Sequence, residues 1–165
     1  MPEAAAWQFK EVKRVPLRRP PDREVMLRGR VFTGELGGTI EDGFVQIEDG
    51  RITNVGRAAE PGPEGYGAPL GGEGKTILPG LFNNHAHLAW DGANDLAQQA
   101  LEDEPEISAY KCAANMLRAL RAGVTTVRDL GMNTTGLFAK RAIVQGIFPG
   151  PKLRVCGAAI VQTGG

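Results

Sequence analysis

Residues 77–88 read ILPGLFNNHAHL, and this stretch decides how the rest of the chain is interpreted. Pro79 and Gly80 interrupt what precedes them, and the apolar residues that follow predict a buried strand over 81–88. The strand carries His85 and His87, the only two histidines of the chain. Because strand residues i and i+2 point to the same face, both imidazoles are expected to converge on one point.

Helices and strands alternate downstream of this stretch. The pattern predicts, in order, a helix over 104–122, a strand over 124–127, a helix over 137–145 and a strand over 153–161. Such alternation is typical of a parallel α/β sheet or barrel. The histidine pair then lies at the carboxyl end of the first parallel strand, where α/β barrels carry their active sites.

Neutral imidazole is a good ligand for Zn²⁺ and related divalent metals, so His85 and His87 are candidate metal ligands. The alternative is that both are polar residues that close a strand with ordinary hydrogen bonds. Arg128, Asp129, Trp90 and Asp91 follow predicted strands and could lie near the same site, but the sequence gives none of them a catalytic role.

The upstream part of the chain has the pattern of a small antiparallel β unit. Strands are predicted over 25–32, 44–48 and 51–55, and Asp49-Gly50 separates the last two. This dipeptide favours a type I′ hairpin turn, which requires positive φ at both central residues. The resulting register places Glu48 opposite Arg51 on the neighbouring strand.

A proline- and glycine-rich segment over 61–74 predicts a loop. It ends beside Gly74-Lys75-Thr76, which resembles the end of a phosphate-binding loop. That motif needs a glycine five positions earlier, where this chain has Pro69, and it needs a helix to follow. A nucleotide-binding function is therefore not predicted, and no cofactor-binding residues are assigned.

Composition excludes several classes of protein. The 165 residues carry 19 Lys+Arg and 19 Asp+Glu, so a net charge of zero gives no indication of a nucleic-acid or anionic-membrane partner. No apolar run is long enough for a membrane span. Residues 1–24 are basic and are predicted to be a flexible tail. Cys112 and Cys156 form neither a disulfide framework nor a zinc motif, so cytoplasmic residence is expected.

Residues 77–88, 122–131, 146–153 and 162–165 together resemble the amidohydrolase superfamily, most closely its imidazolonepropionase and Xaa-Pro dipeptidase (prolidase-like) branch. The upstream β unit is similar to the first part of that family's β-sandwich. The resemblance implies the N-terminal portion of a metal-dependent hydrolase: a partial β-sandwich over 25–78, then the first strands and helices of an incomplete (β/α)₈ barrel over 79–165. Many members have aspartate where this chain has Asn83.

The resemblance also implies a function. His85 and His87 match the family's first two metal ligands, with zinc as the first choice of metal. The expected reaction is hydrolysis of an amide-type carbon–nitrogen bond, in a dipeptide, cyclic amide or related small molecule, by metal-activated water. The family's further ligands, a lysine, two histidines and an aspartate, have no counterparts here. The alternative is therefore an inert fragment or binding module that needs a complementary C-terminal portion or a second copy of itself.

Overall fold

A computed structural model describes residues 24–58, 69–92, 95–131, 133–159 and 162; the predicted basic tail lies almost wholly outside them. The first part of the chain forms one four-stranded sheet in the order β3-β2-β1-β4. Its strands are β1 (Val25–Phe32), β2 (Thr39–Glu48), β3 (Arg51–Arg57) and β4 (Leu70–Ile77). β1 pairs antiparallel with β2 and parallel with β4.

The predicted hairpin is confirmed. Asp49 and Gly50 have φ angles of 48° and 71°, as a type I′ turn requires. Glu48 is paired with Arg51 across the two strands, and Ile47 is paired with Ile52. The turn therefore sets the register of the two pairs beside it, and an irregularity between Gln46 and Ile47 shifts the pairing by one residue beyond them.

The loop prediction over 61–74 is wrong in its last five residues, because Leu70 already begins β4. Gly71 lies close to the β1 backbone, where an added Cβ would meet the carbonyl oxygen of Arg28, whereas Gly72 and Gly74 have open space around them. A Cβ atom on Gly29 of β1 would lie only 2.6 Å from the carbonyl oxygen of Lys75 in β4. Gly74-Lys75-Thr76 is thus part of a strand, which cannot present a helix N-terminus to phosphate.

The second part of the chain is the predicted parallel α/β unit. Its sheet has the order β5-β6-β7, with all neighbours parallel. The elements are β5 (Leu81–Ala86), α1 (Leu96–Glu102), α2 (Pro105–Arg121), β6 (Val124–Asp129), α3 (Thr135–Val144) and β7 (Lys152–Val155). No helix in the described ranges is both long and apolar enough to cross a membrane.

This unit differs from the sequence prediction most clearly at β5, β7 and α1. β5 ends at Ala86, two residues before the predicted end, and its pairing with β6 is irregular between Asn83 and Ala86. β7 ends at Val155 instead of residue 161, and Gly157 soon afterwards takes a φ of 85°, which is incompatible with a strand. Helix α1 was not predicted, although Asp95 caps it by accepting a hydrogen bond of 2.8 Å from the Gln98 N–H.

Helices α2 and α3 cover one face of the parallel sheet and create the core there. The buried apolar residues of this core are Leu88, Ala89, Cys112, Met116, Val127 and Leu153. The prediction that the first parallel strand is buried is wrong, since Leu81 is 49% exposed and Phe82 69%. β5 is an edge strand of the described sheet, so one side of it has no neighbouring strand to cover it.

We expect the isolated 165-residue chain to associate with itself or with a complementary segment rather than remain a compact monomer. Exposed edge strands with apolar side chains are templates for pairing with another chain. Phe82→Ser should reduce the association measured by sedimentation velocity, whereas Val144→Ser, at a residue of α3 that is 78% exposed, should change it little. A wild-type monomer with a sharp thermal transition and no binding of an apolar dye would contradict this expectation.

Candidate metal centre

The two histidines lie together at the carboxyl end of β5. His85 belongs to the strand and is exposed, while His87 follows it and is half-buried. Their ring centroids are 5.4 Å apart and the ring planes meet at 69°. Two imidazoles that share one tetrahedral metal have ring centres roughly 5 Å apart, from metal–nitrogen bonds of about 2 Å. The separation of the rings therefore fits a shared metal ion.

The ring of His87 is oriented by a contact with the loop after β6. Its Nδ1 atom lies 2.7 Å from the carbonyl oxygen of Gly131. A carbonyl oxygen can only accept, so Nδ1 carries the hydrogen and donates it. In the neutral ring, the lone pair is then on Nε2, the atom that remains for a ligand. Histidines that bind metals usually donate their other ring N–H in this way.

Asp129, the last residue of β6, holds the two loops that create this contact. Its side chain is buried at 4% exposure. One carboxylate oxygen accepts the Gly131 N–H at 2.7 Å, and the other accepts the Leu88 N–H at 3.4 Å. The carboxylate therefore links Gly131, whose carbonyl oxygen accepts from His87, to Leu88, which follows His87 in the chain.

Arg128 points to the other face of the sheet from its neighbour, as strand alternation requires. Its Nε–H donates to the carbonyl oxygen of Asn84 at 2.7 Å. Arg128 thereby links β6 to the strand segment just before the histidines. The structure places both residues of this predicted pair near the site, and each makes hydrogen bonds to backbone around it.

Trp90 lies directly against His87, and its partner in the sequence prediction, Asp91, is turned to the helices. The indole and imidazole centroids are 4.7 Å apart with planes tilted by 30°. Asp91 accepts a hydrogen bond of 2.7 Å from the Gln99 side chain and forms an ion pair of 3.0 Å with Lys111. The hydrogen bond from Lys111 to Asp103, and to a smaller extent the one to Asp91, raises the pKa of the lysine above its usual value.

The thiol of Cys112 is buried and lies near the carboxylate of Asp129. Burial, with a smaller contribution from the negative charge of Asp129, raises the pKa of Cys112 to about 12. The thiolate, which is the nucleophile and metal ligand of cysteine, is therefore almost absent near neutral pH. No cluster of three or more His, Cys, Asp or Glu side chains suited to a metal exists within the ranges that the structure covers.

Two residues that build the site were not found from the sequence. Gly131 and Asn115 were not singled out, and the signal for Gly131 was its position just beyond β6, in a loop that needs a φ of 87°. Asn115 lies within an ordinary helical pattern, so no local signal distinguishes it. Its contacts are with Leu88 and Trp90, which are far away in the sequence.

Comparison with known proteins assigns the family. Residues 76–163, just over half of the chain, match the model of the amidohydrolase family. The chain therefore belongs to the amidohydrolase family. The match includes the whole parallel α/β unit and both histidines.

Individual relatives agree with this assignment. Imidazolonepropionase of Methylobacterium nodulans is 36% identical over 94 residues, which cover 55% of this chain and 21% of the relative. The 5'-deoxyadenosine deaminase of Methanothermobacter thermautotrophicus is 30% identical over 107 residues, covering 56% of this chain and 25% of the relative.

Solved structures share the fold. A Xaa-Pro dipeptidase with bound methionine superposes with a TM-score of 0.71 at 21% identity, over 86% of this chain and 35% of that protein. Molinate hydrolase superposes with a TM-score of 0.67 at 30% identity, over 84% of this chain and 31% of that protein. The fold is thus a partial version of the (β/α)₈-barrel hydrolases, and the chain spans about a third of their length.

We predict that Gly131→Ala disturbs the orientation of His87. An added Cβ would meet the carbonyl oxygen of Gly157 and would lie 2.8 Å from the Cys156 sulfur, so the loop must shift. In protein labelled with ¹⁵N-histidine, the hydrogen-bonded Nδ1–H signal of His87 should be lost.

Gly123→Ala is the matched control, because Gly123 has a similar φ of 79° with nothing within 4 Å of an added Cβ. Both variants should lose about 1–3 kcal/mol to backbone strain alone, but only the control should keep the histidine signal. An unchanged His87 signal in Gly131→Ala would contradict the proposed orientation.

Proposed function

We propose that this chain is part of a metal-dependent hydrolase that cleaves an amide-type carbon–nitrogen bond in a small molecule. His85 and His87 bind a divalent metal in this proposal, and zinc is the first choice. The observation that carries the proposal is the 2.7 Å contact between His87 Nδ1 and the Gly131 carbonyl, which leaves Nε2 available for a metal. A metal bound here supplies a water of lowered pKa and polarises the substrate carbonyl.

The chain's own residues prepare the site for that chemistry. The carbonyl of Gly131 fixes the tautomer of His87, and Asp129 accepts hydrogen bonds from the Gly131 and Leu88 N–H groups. Trp90 covers one side of the His87 ring, so part of that imidazole is shielded from water. Two imidazoles are fewer than the three protein ligands of a catalytic zinc site, so the proposal requires a further ligand and a proton acceptor beyond the described residues.

The comparisons support hydrolysis as the class of reaction. The relatives include proteins named as a deaminase and as a hydrolase. Since the chain spans only about a fifth to a quarter of the curated relatives it matches, the activity and substrate of the whole protein remain part of this proposal. We also propose cytoplasmic residence, because Cys112 and Cys156 are both free thiols.

The same proposal divides the chain into a partial β-sandwich over 25–78 and a partial barrel over 79–165. The two sheets support this division, because β1 to β4 form one sheet and β5 to β7 form the other. A sandwich needs two sheets packed face to face. The described residues of the first part contribute one such sheet.

The first test of the proposal is metal binding. We predict that the His85→Ala, His87→Ala double variant binds less divalent metal than the wild-type chain at the same free metal concentration, measured by elemental analysis after equilibrium dialysis. Cys156→Ser is the control, because it removes an exposed sulfur near the same loop without changing either imidazole. Full metal content in the double variant would disprove the assignment of these two ligands.

The tautomer gives a second readout for the same proposal. With only two histidines in the chain, ¹⁵N-histidine spectra contain two ring systems. The His87 ring should show a protonated Nδ1 and an unprotonated Nε2, and the Nε2 signal should move when Zn²⁺ is added. A protonated Nε2 in the neutral ring would contradict the orientation on which the proposal depends.

A second candidate is that the chain by itself is an inert subunit or binding module. The observations in its favour are the exposed edge of β5 and the limit of two clustered imidazoles in the part of the chain that the structure describes.

We predict negligible hydrolysis of dipeptides or cyclic amides by the 165-residue chain, with or without added metal, because the ligand set is too small. Chromatographic detection of product from a panel of such substrates tests this prediction. Turnover that requires metal and disappears in His87→Ala would show instead that the chain is a complete enzyme.

A further inference from the structure

A side chain on α2 holds the turn that follows the candidate metal centre. Asn115 is half-buried, and its amide nitrogen Nδ2 donates to the carbonyl oxygen of Leu88 at 2.8 Å and to that of Trp90 at 2.7 Å. An amide NH₂ has two hydrogens, so both are used. The two acceptors belong to residues on either side of Ala89, and the amide therefore bridges the turn.

The bridged turn is the segment that places an aromatic ring on His87. The Trp90 N–H donates to the His87 carbonyl oxygen at 3.1 Å and closes the turn on itself. Between them, Leu88 and Ala89 are buried at 5% and 3% exposure, which anchors the turn in the core. The Trp90 ring then lies 4.7 Å from the imidazole of His87.

We propose that Asn115 is a positioning residue for His87: its two N–H donors fix the 87–90 turn so that Trp90 restrains the imidazole in the orientation that presents Nε2. The inference rests on the proposed metal-binding role of His87. The role belongs to the two N–H donors specifically. An aspartate in place of Asn115 has the same shape, but its carboxylate repels the two carbonyl oxygens to which the amide donates.

The opposite end of the same side chain provides a control. The Oδ1 atom of Asn115 accepts a hydrogen bond of 2.8 Å from Arg118, an exposed contact one turn along α2. Arg118→Ala removes that contact and leaves both N–H donors in place. If this stretch of α2 had only a structural role, a substitution at either Asn115 or Arg118 would change the orientation of His87. In the proposed role, only loss of the two N–H donors of Asn115 changes it.

The experiment compares Asn115→Asp with Arg118→Ala in the full chain, with its histidines isotopically labelled for NMR. The first readout is metal-free: the ring protons of His87 should be shifted upfield by the adjacent indole, and Trp90→Leu identifies that shift by removing it. The second readout is the affinity for Zn²⁺, measured by competition with a chromophoric chelator.

Asn115→Asp should abolish the upfield shift and weaken Zn²⁺ binding by about 10–100-fold, the usual effect of removing an outer partner of a metal-binding histidine. Arg118→Ala should leave both values at those of the wild type. Should Asn115→Asp fail to fold, Asn115→Ser decides, because it is uncharged and removes the amide while leaving room for water at the two carbonyls. Retention of the full upfield shift in the folded Asp or Ser variant would overturn the inference.

Failure of the proposed function gives a different pattern. If the wild-type chain binds no Zn²⁺, two imidazoles do not hold the metal without the further ligand, and the upfield shift alone then shows whether Asn115 orients the ring. If Zn²⁺ binds and its affinity is the same in Asn115→Asp, the metal assignment stands and the positioning role is wrong.

Discussion

The buried carboxylate of Asp129 is the constraint on which the rest of the site depends. A carboxylate removed from water is strongly unfavourable unless hydrogen bonds compensate for the lost hydration. The carboxylate accepts hydrogen bonds from the backbone N–H groups of Gly131 and Leu88, which belong to the loops after β6 and β5. The requirement to satisfy one buried charge therefore brings those two loops together.

The position of His87 follows from that requirement. Once the loop after β6 is held, the carbonyl of Gly131 is in place to accept from Nδ1, and the tautomer of the imidazole is fixed. Gly131 must be glycine there, because its φ is 87° and an added Cβ would meet the neighbouring Gly157 backbone. The buried carboxylate of Asp129 thus holds Gly131 in its left-handed conformation, and the carbonyl of Gly131 in turn fixes the tautomer of His87.

The sequence predicted the parts of this arrangement that depend on local patterns. The Asp49-Gly50 turn and helix α2 follow from local propensity, and the parallel order of β5, β6 and β7 follows from the alternation of strands and helices along the chain. β4 was partly missed because Gly71, Gly72 and Gly74, which usually indicate a turn, lie within a strand here, and at Gly71 the β1 backbone is too close for a Cβ atom. The exposure of β5 was missed because burial depends on which strands surround it, and periodicity alone does not contain that information.

The contacts that orient the site are those that local pattern cannot reveal. The His87–Gly131 hydrogen bond joins residues 44 positions apart, and the Asn115–Leu88 hydrogen bond joins residues 27 positions apart. His85 and His87 are close in the sequence in any conformation of the chain, but the contact that fixes the tautomer of His87 exists only when β5 has paired with β6 and the loop after β6 is in place. Ligand identity is therefore a local property of residues 85–87, while ligand orientation is a property of the folded α/β unit. That division explains why two histidines could be recognised as candidates from the sequence when the residues that would make them effective could not.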